Sequence, residues 1–97
     1  MGANGSPLRQ PVFEFDQAKS RANEIQHGID FRRADEMWDD PYLLRIQART
    51  QGELRFIFIG HLDGAIWAAI ATYRNRSIRL ISVRRARPEE VALYEVQ

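Results

Sequence analysis

Two rhythms of apolar and polar residues divide the chain. In the first half the apolar positions fall three and four residues apart; in the second they come in short runs cut by turn residues. "VFEFD" (Val12–Asp16) alternates apolar and acidic side chains and predicts a short strand. Asp16 then supplies the N-cap of a helix over 17–27, with Ala18, Ala22 and Ile25 as its buried stripe and Gly28 at a left-handed C-cap. Asp30 caps a second short helix, from Phe31 to about Trp38, with Phe31, Ala34 and Trp38 on one face. "DDPY" closes it, because Pro41 disfavours helix in the residue before it.

The second half predicts strands at 43–48, 54–60, 65–73 and 78–83. "AIWAAIATY" is rich in alanine, yet the turn signals "HLDG" and "RNRS" on either side favour a strand. Pro88 opens a C-terminal helix with Glu89 and Glu90 at its positive end, and Val91, Leu93 and Tyr94 are expected to pack back. Short links between consecutive strands imply an antiparallel meander. The expected fold is α+β: an antiparallel sheet of about four strands, two N-terminal helices on one face and a short C-terminal helix.

Composition narrows the class. The 97 residues are enough for one modest core, expected over 12–97, with 1–11 a flexible tail. That tail has no apolar stretch of a secretory signal, and no apolar run approaches the roughly 18 residues of a membrane span. There is no cysteine, so disulfides and thiolate metal sites are excluded and a reducing cytoplasm fits. The net charge of +1 hides a segregation: residues 1–41 carry five basic and eight acidic side chains, residues 42–88 nine and two. Thirteen of the fourteen cations are arginine, whose planar fork suits phosphate or carboxylate. A GC-rich genome would also raise arginine over lysine, but would not segregate it.

"IRLISVRRAR" (Ile78–Arg87) concentrates the problem, because a strand that must be inside carries cations that must be outside or paired. Simple alternation puts Arg79 on the face of Ile81 and Val83, and Arg55 on that of Ile57 and Ile59. Two arginines on apolar strand faces either clamp a phosphate or pair with Glu53, Asp63 or helix carboxylates.

At this level of detail the chain resembles the BrnT toxin family. "FEFDQAKSRANEIQHGIDFRRADEMWDDP", "GELRFIFIG" and "IRLISVRRARPEEVALYE" carry the resemblance in order, from Phe13 to Glu95. The matching positions include Asp16, Lys19, Asn23, His27, Gly28, Glu53, Arg55, Gly60, Arg79, Ser82, Arg84, Arg85, Glu90 and Tyr94. Val83, where alanine is usual, and the alanine-rich 65–72 depart from the pattern. The resemblance implies a type II toxin with a RelE-like sheet fold that cleaves RNA. It also implies a BrnA-like antitoxin that silences the toxin and alone contacts operator DNA.

Metal-free RNA cleavage needs a proton acceptor for the ribose 2′-hydroxyl, a donor for the leaving oxygen, and positive charge on the transition state. Arg55, Arg79 and Arg84 are the candidates for charge. His27 and Glu53 are the candidates for proton transfer, although His27 equally suits a helix C-terminus and Glu53 a salt bridge to Arg55. Lys19, Arg85, Arg87 and Tyr94 are candidate RNA contacts; Tyr94 and Tyr73 either stack on a base, donate a proton, or pack in the core or an interface. No histidine or carboxylate spacing suggests a metal, no cofactor motif is present, and no recognition helix suggests direct DNA binding. The alternative function is a non-catalytic protein-binding module on the same scaffold.

Overall fold

A computed structural model describes residues 11–48 and 52–97. All but Pro11 of the expected tail lies outside these residues. The elements are β1 (Phe13–Glu14), α1 (Gln17–His27), α2 (Phe31–Ala34), a 3-10 helix (Asp35–Asp39), β2 (Leu44–Ala48), β3 (Arg55–Leu62), β4 (Ala65–Arg74), β5 (Ser77–Arg85) and α3 (Pro88–Glu95). The α+β class holds, with two differences. The sheet has five strands in the order β1-β5-β4-β3-β2, and it is mixed because β1 runs parallel to β5. The second predicted helix is one α-turn that tightens into 3-10 geometry at Asp35.

Local chemistry accounts for the boundaries. The Asp16 carboxylate accepts the N–H groups of Ala18 and Lys19 at the start of α1 (2.8 and 3.1 Å), and Gly28 ends the helix at φ 81°. Asp30 accepts the Arg33 N–H at 2.7 Å. Both hairpins among β3, β4 and β5 turn on two residues with positive φ, Asp63-Gly64 and Asn75-Arg76, as tight hairpin turns require. Arg76, at φ 70°, occupies a conformation that usually costs a side chain roughly 1–2 kcal/mol.

The core lies between the sheet and the layer of α1, α2 and the 3-10 helix. Phe31, Ala34 and Met37 pack on Phe58, Ala69, Leu80 and Val83, with Phe13, Phe15 and Trp38 around the margin. Gly60 permits the close approach of the segment that leads from the 3-10 helix into β2: a Cβ there would meet Leu43 Cδ1 at 2.7 Å.

The predicted stripe of α1 faces the wrong way. Ala18 and Ala22 are exposed and Ile25 is 82% exposed, whereas Ser20 and Asn23 are buried. Ser20 Oγ accepts the Phe31 N–H at 2.9 Å. Asn23 Nδ2 donates to the carbonyls of Ile29 and Val83 (2.8 and 2.9 Å), and its Oδ1 accepts the Val83 N–H at 3.0 Å. Buried polar groups are tolerated when satisfied, and these two use their bonds to fix α1 to its own exit loop and to β5.

The second correction concerns β5. Ile70 pairs with Ser82, but the next β4 residue, Ala71, pairs with Leu80. Ile81 is therefore an extra residue, a β-bulge that shifts the alternation by one. Ile78, Leu80 and Val83 turn to the core, and Arg79, Ser82 and Arg84 turn together to the opposite face. Arg79 does not share a face with Val83.

Candidate functional site

The face of the sheet opposite α1 is ordered in rows by strand register. The first row crosses the sheet as Glu14, Arg79, Thr72, Arg55 and Ala48: Glu14 pairs with Arg79, Arg79 with Thr72, and Arg55 with Ala48. Arg55 comes next to Thr72 because Phe56 pairs with Ala71. The second row is Ser82, Ile70, Ile57 and Ile46, all half-buried. The third is Arg84, Ala68, Ile59 and Leu44. Ile59 and Ala68 are fully buried, and Arg84 holds Glu90 of α3, so α3 covers this third row. The first two rows stay uncovered, a half-buried apolar floor beside a charged edge.

The arginines of the first row are loosely held. Arg79 Nη1 lies 3.5 Å from Glu14 Oε1, and Arg74 Nη1 lies 3.7 Å from the same oxygen, both too long for hydrogen bonds. One carboxylate thus serves two guanidinium groups. Arg55 Nε is shielded from solvent and makes no hydrogen bond; Glu53 Oε1 is 3.5 Å away. Thr72 Oγ1 donates to the Leu54 carbonyl at 2.7 Å and so ties the entry of β3, and Arg55 with it, to β4. Arg55 and Arg79 stand two strand spacings apart, about 10 Å, near enough for two long side chains to converge on one anion.

The other residues singled out in the sequence lie elsewhere. Arg84 is consumed by a bidentate bond to Glu90 (2.7 and 2.9 Å), which holds the Glu90 carboxyl below the usual range against the opposing effect of burial. Arg87 is the residue before α3, and its N–H donates to Glu90 Oε1 at 2.8 Å. Arg85 points to the helix side, its guanidinium 5.4 Å from the Trp67 ring. Lys19 and His27 belong to α1, across the sheet from Arg55 and Arg79. Of the nine candidates, the structure brings together Arg55, Arg79 and Glu53.

Tyr94 is engaged at the sheet edge. Its hydroxyl donates to Asp40 Oδ2 at 2.5 Å, and burial together with this carboxylate pushes its pKa up to about 12. Burial pushes the Asp40 carboxyl up, but hydrogen bonds from Tyr94 and from the N–H groups of His61 and Tyr42 outweigh it and hold the carboxyl below its ordinary value. The adjoining cleft is lined by Glu36, Asp39, Asp40 and Asp63, the wrong sign for a phosphate. Among the described residues no three histidine, aspartate or glutamate side chains converge as a metal-holding group.

Sequence reasoning missed Glu14 and Thr72. The outward direction of Glu14 was readable from its place between Phe13 and Phe15, but its partner strand was not.

The protein is a small α+β domain with α3 over one third of a sheet face and an arginine row over another. The chain belongs to the BrnT family, the ribonuclease toxins of type II toxin–antitoxin systems, which it matches over residues 15–90. A search of curated proteins finds no match. Membership brings with it an RNA target and an antitoxin partner. Among the described residues, no helix is long and apolar enough to cross a membrane.

Proposed function

We propose that the chain cleaves RNA at the uncovered sheet face without a metal ion, arresting growth or translation, and that a BrnA-like antitoxin silences it. The observation that carries this reading is the first row of that face, where Arg55 and Arg79 flank Thr72 with donors not used in hydrogen bonds among the described residues.

The two guanidinium groups hold the non-bridging oxygens of the scissile phosphate and stabilise the charge that develops on them. The 2′-oxygen bonds to phosphorus as the bond from phosphorus to the 5′-oxygen breaks. The products are a 2′,3′-cyclic phosphate and a 5′-hydroxyl. Arginine stays protonated and cannot accept the 2′-hydroxyl proton. Glu53 beside Arg55 and Glu14 beside Arg79 are the acceptors at hand, and the leaving oxygen takes its proton from the protonated carboxylate or from water. Arg84, fixed by Glu90, shapes the site by holding α3 in place.

The test is cleavage of single-stranded RNA by the purified chain in excess EDTA, with product ends identified. Arg79→Ala is expected to lower the rate by roughly 10²–10³-fold, the usual cost of a transition-state donor. Arg79→Lys keeps the charge but loses the fork, and it should still be impaired. Circular dichroism melts establish that each variant is folded. Undiminished cleavage by a folded Arg79→Ala chain would move the site away from this face, and activity that vanishes in EDTA would end the metal-free mechanism.

A further inference from the structure

The opposite face of the same sheet end carries a feature that phosphate binding does not use. Tyr73 follows Thr72 on β4 and so points to the helix side, beyond the reach of the helices, where it is 44% exposed. Its ring meets Phe56 edge to face, with centroids 5.2 Å apart. Arg45 of β2 lies over both rings, its Cζ 5.0 Å from the Phe56 centroid and 6.0 Å from that of Tyr73, and its Nη1 donates to the Tyr73 hydroxyl at 3.2 Å. Arg45 has no ion pair among the described residues.

Resting on the RNA-cleaving reading, we propose that Arg45, Phe56 and Tyr73 form a stacking platform for an unpaired nucleobase of the bound strand, a few nucleotides from the cleaved bond. The chemistry favours a base over a protein side chain. The platform is small and aromatic, its two rings edge to face, and its cation is uncompensated, which suits a π-surface attached to an anionic backbone. Its position fits as well. Thr72 lies between Arg55 and Arg79 on one face and Tyr73 lies on the other, so the platform and the arginine row stand back to back. The β4–β5 turn joins the two faces and carries Arg76, which has no ion pair among the described residues. A single strand wrapped around that turn sets a phosphate on the arginine row and a base a few nucleotides further along on Tyr73.

The test is fluorescence anisotropy with a labelled single-stranded RNA made uncleavable by 2′-O-methylation, beside the same backbone with abasic sites. Tyr73→Ala is expected to weaken binding of the first by about 5- to 150-fold, the range of one lost base stack, and to leave the abasic strand unaffected. Tyr73→Phe keeps the ring and should bind as the parent does. Arg79→Ala should weaken both strands alike. If Tyr73→Ala melts early, Tyr73→Leu replaces it, because it retains apolar contact with Phe56 without a π-face. If the parent binds and cleaves RNA and the folded Tyr73 variants bind normally, the platform is disproved and the RNA-cleaving reading stands. The platform is equally disproved if those variants lose only the antitoxin. If the parent neither binds nor cleaves RNA, the functional reading falls, and the platform with it.

Discussion

Asn23 holds three backbone groups that have no other means of leaving water. Asn23→Ala would strand the Val83 N–H and the carbonyls of Ile29 and Val83 in a buried place. A loss of about 3 kcal/mol is expected, within the usual range for buried groups left unpaired, measured by urea unfolding. A loss below about 1 kcal/mol would mean that water reaches the site in the variant. The same residue explains the misread helix. The 3.6-residue period shows that Ala18, Ala22 and Ile25 share a side and that Ser20 and Asn23 share another, but it does not say which side is inside. Hydrophobicity decides in favour of the first only when no backbone groups wait to be satisfied. The exit loop of α1 and β5 present such groups, and Asn23 stood in the family pattern as a sign of it.

Element boundaries were legible because caps and turn residues are local chemistry: Asp16, Gly28, Asp30, "DG" and "NR" all act where the sequence places them. The extra residue at Ile81 and the parallel pairing of β1 were not, since each depends on a strand distant in sequence. The attachment of α3 is of the same long-range kind and makes a prediction. Glu90 has a folded pKa below its ordinary 4.5, so its contribution is present above that value and is lost as pH falls through the lowered one. Tyr94 has a pKa raised from 10.0 to about 12, so its contribution is full below 10.0 and is lost as pH rises towards 12. In melting temperature measured against pH, Glu90→Gln should flatten the acid limb and Tyr94→Phe the alkaline limb. An acid limb unchanged in Glu90→Gln would show that the pair with Arg84 adds no pH-dependent stability.

For the whole molecule, the charge segregation seen in the sequence becomes a segregation between elements. The basic 42–88 segment supplies β2 to β5, and the surplus of carboxylates lies in the helix layer and α3. If the antitoxin covers the arginine row with an acidic surface, the on-rate of the pair should fall with ionic strength. Stopped-flow association at two salt concentrations reads this directly, and a rate indifferent to salt would put the antitoxin elsewhere. The site itself was half legible. Arg55, Arg79 and Glu53 announced themselves as charges on or beside apolar runs. Arg84, Arg85 and Arg87 looked alike in the sequence and went to three different tasks, because strand alternation parts the first two and the third lies past the end of β5 at the start of α3.

That shift makes chain length between Arg79 and Arg84 behave like a reading frame. The two arginines are five positions apart, an odd count that an unbroken strand would send to opposite sides. Removing the extra residue leaves them four positions apart, an even count that an unbroken strand keeps on one side. Val83 would keep its place in the core and Asn23 its anchor, and Arg84 would still present its fork to Glu90. Deleting Ile81 would therefore straighten the strand without exchanging inside and outside, whereas one further residue gained or lost in this stretch would exchange them.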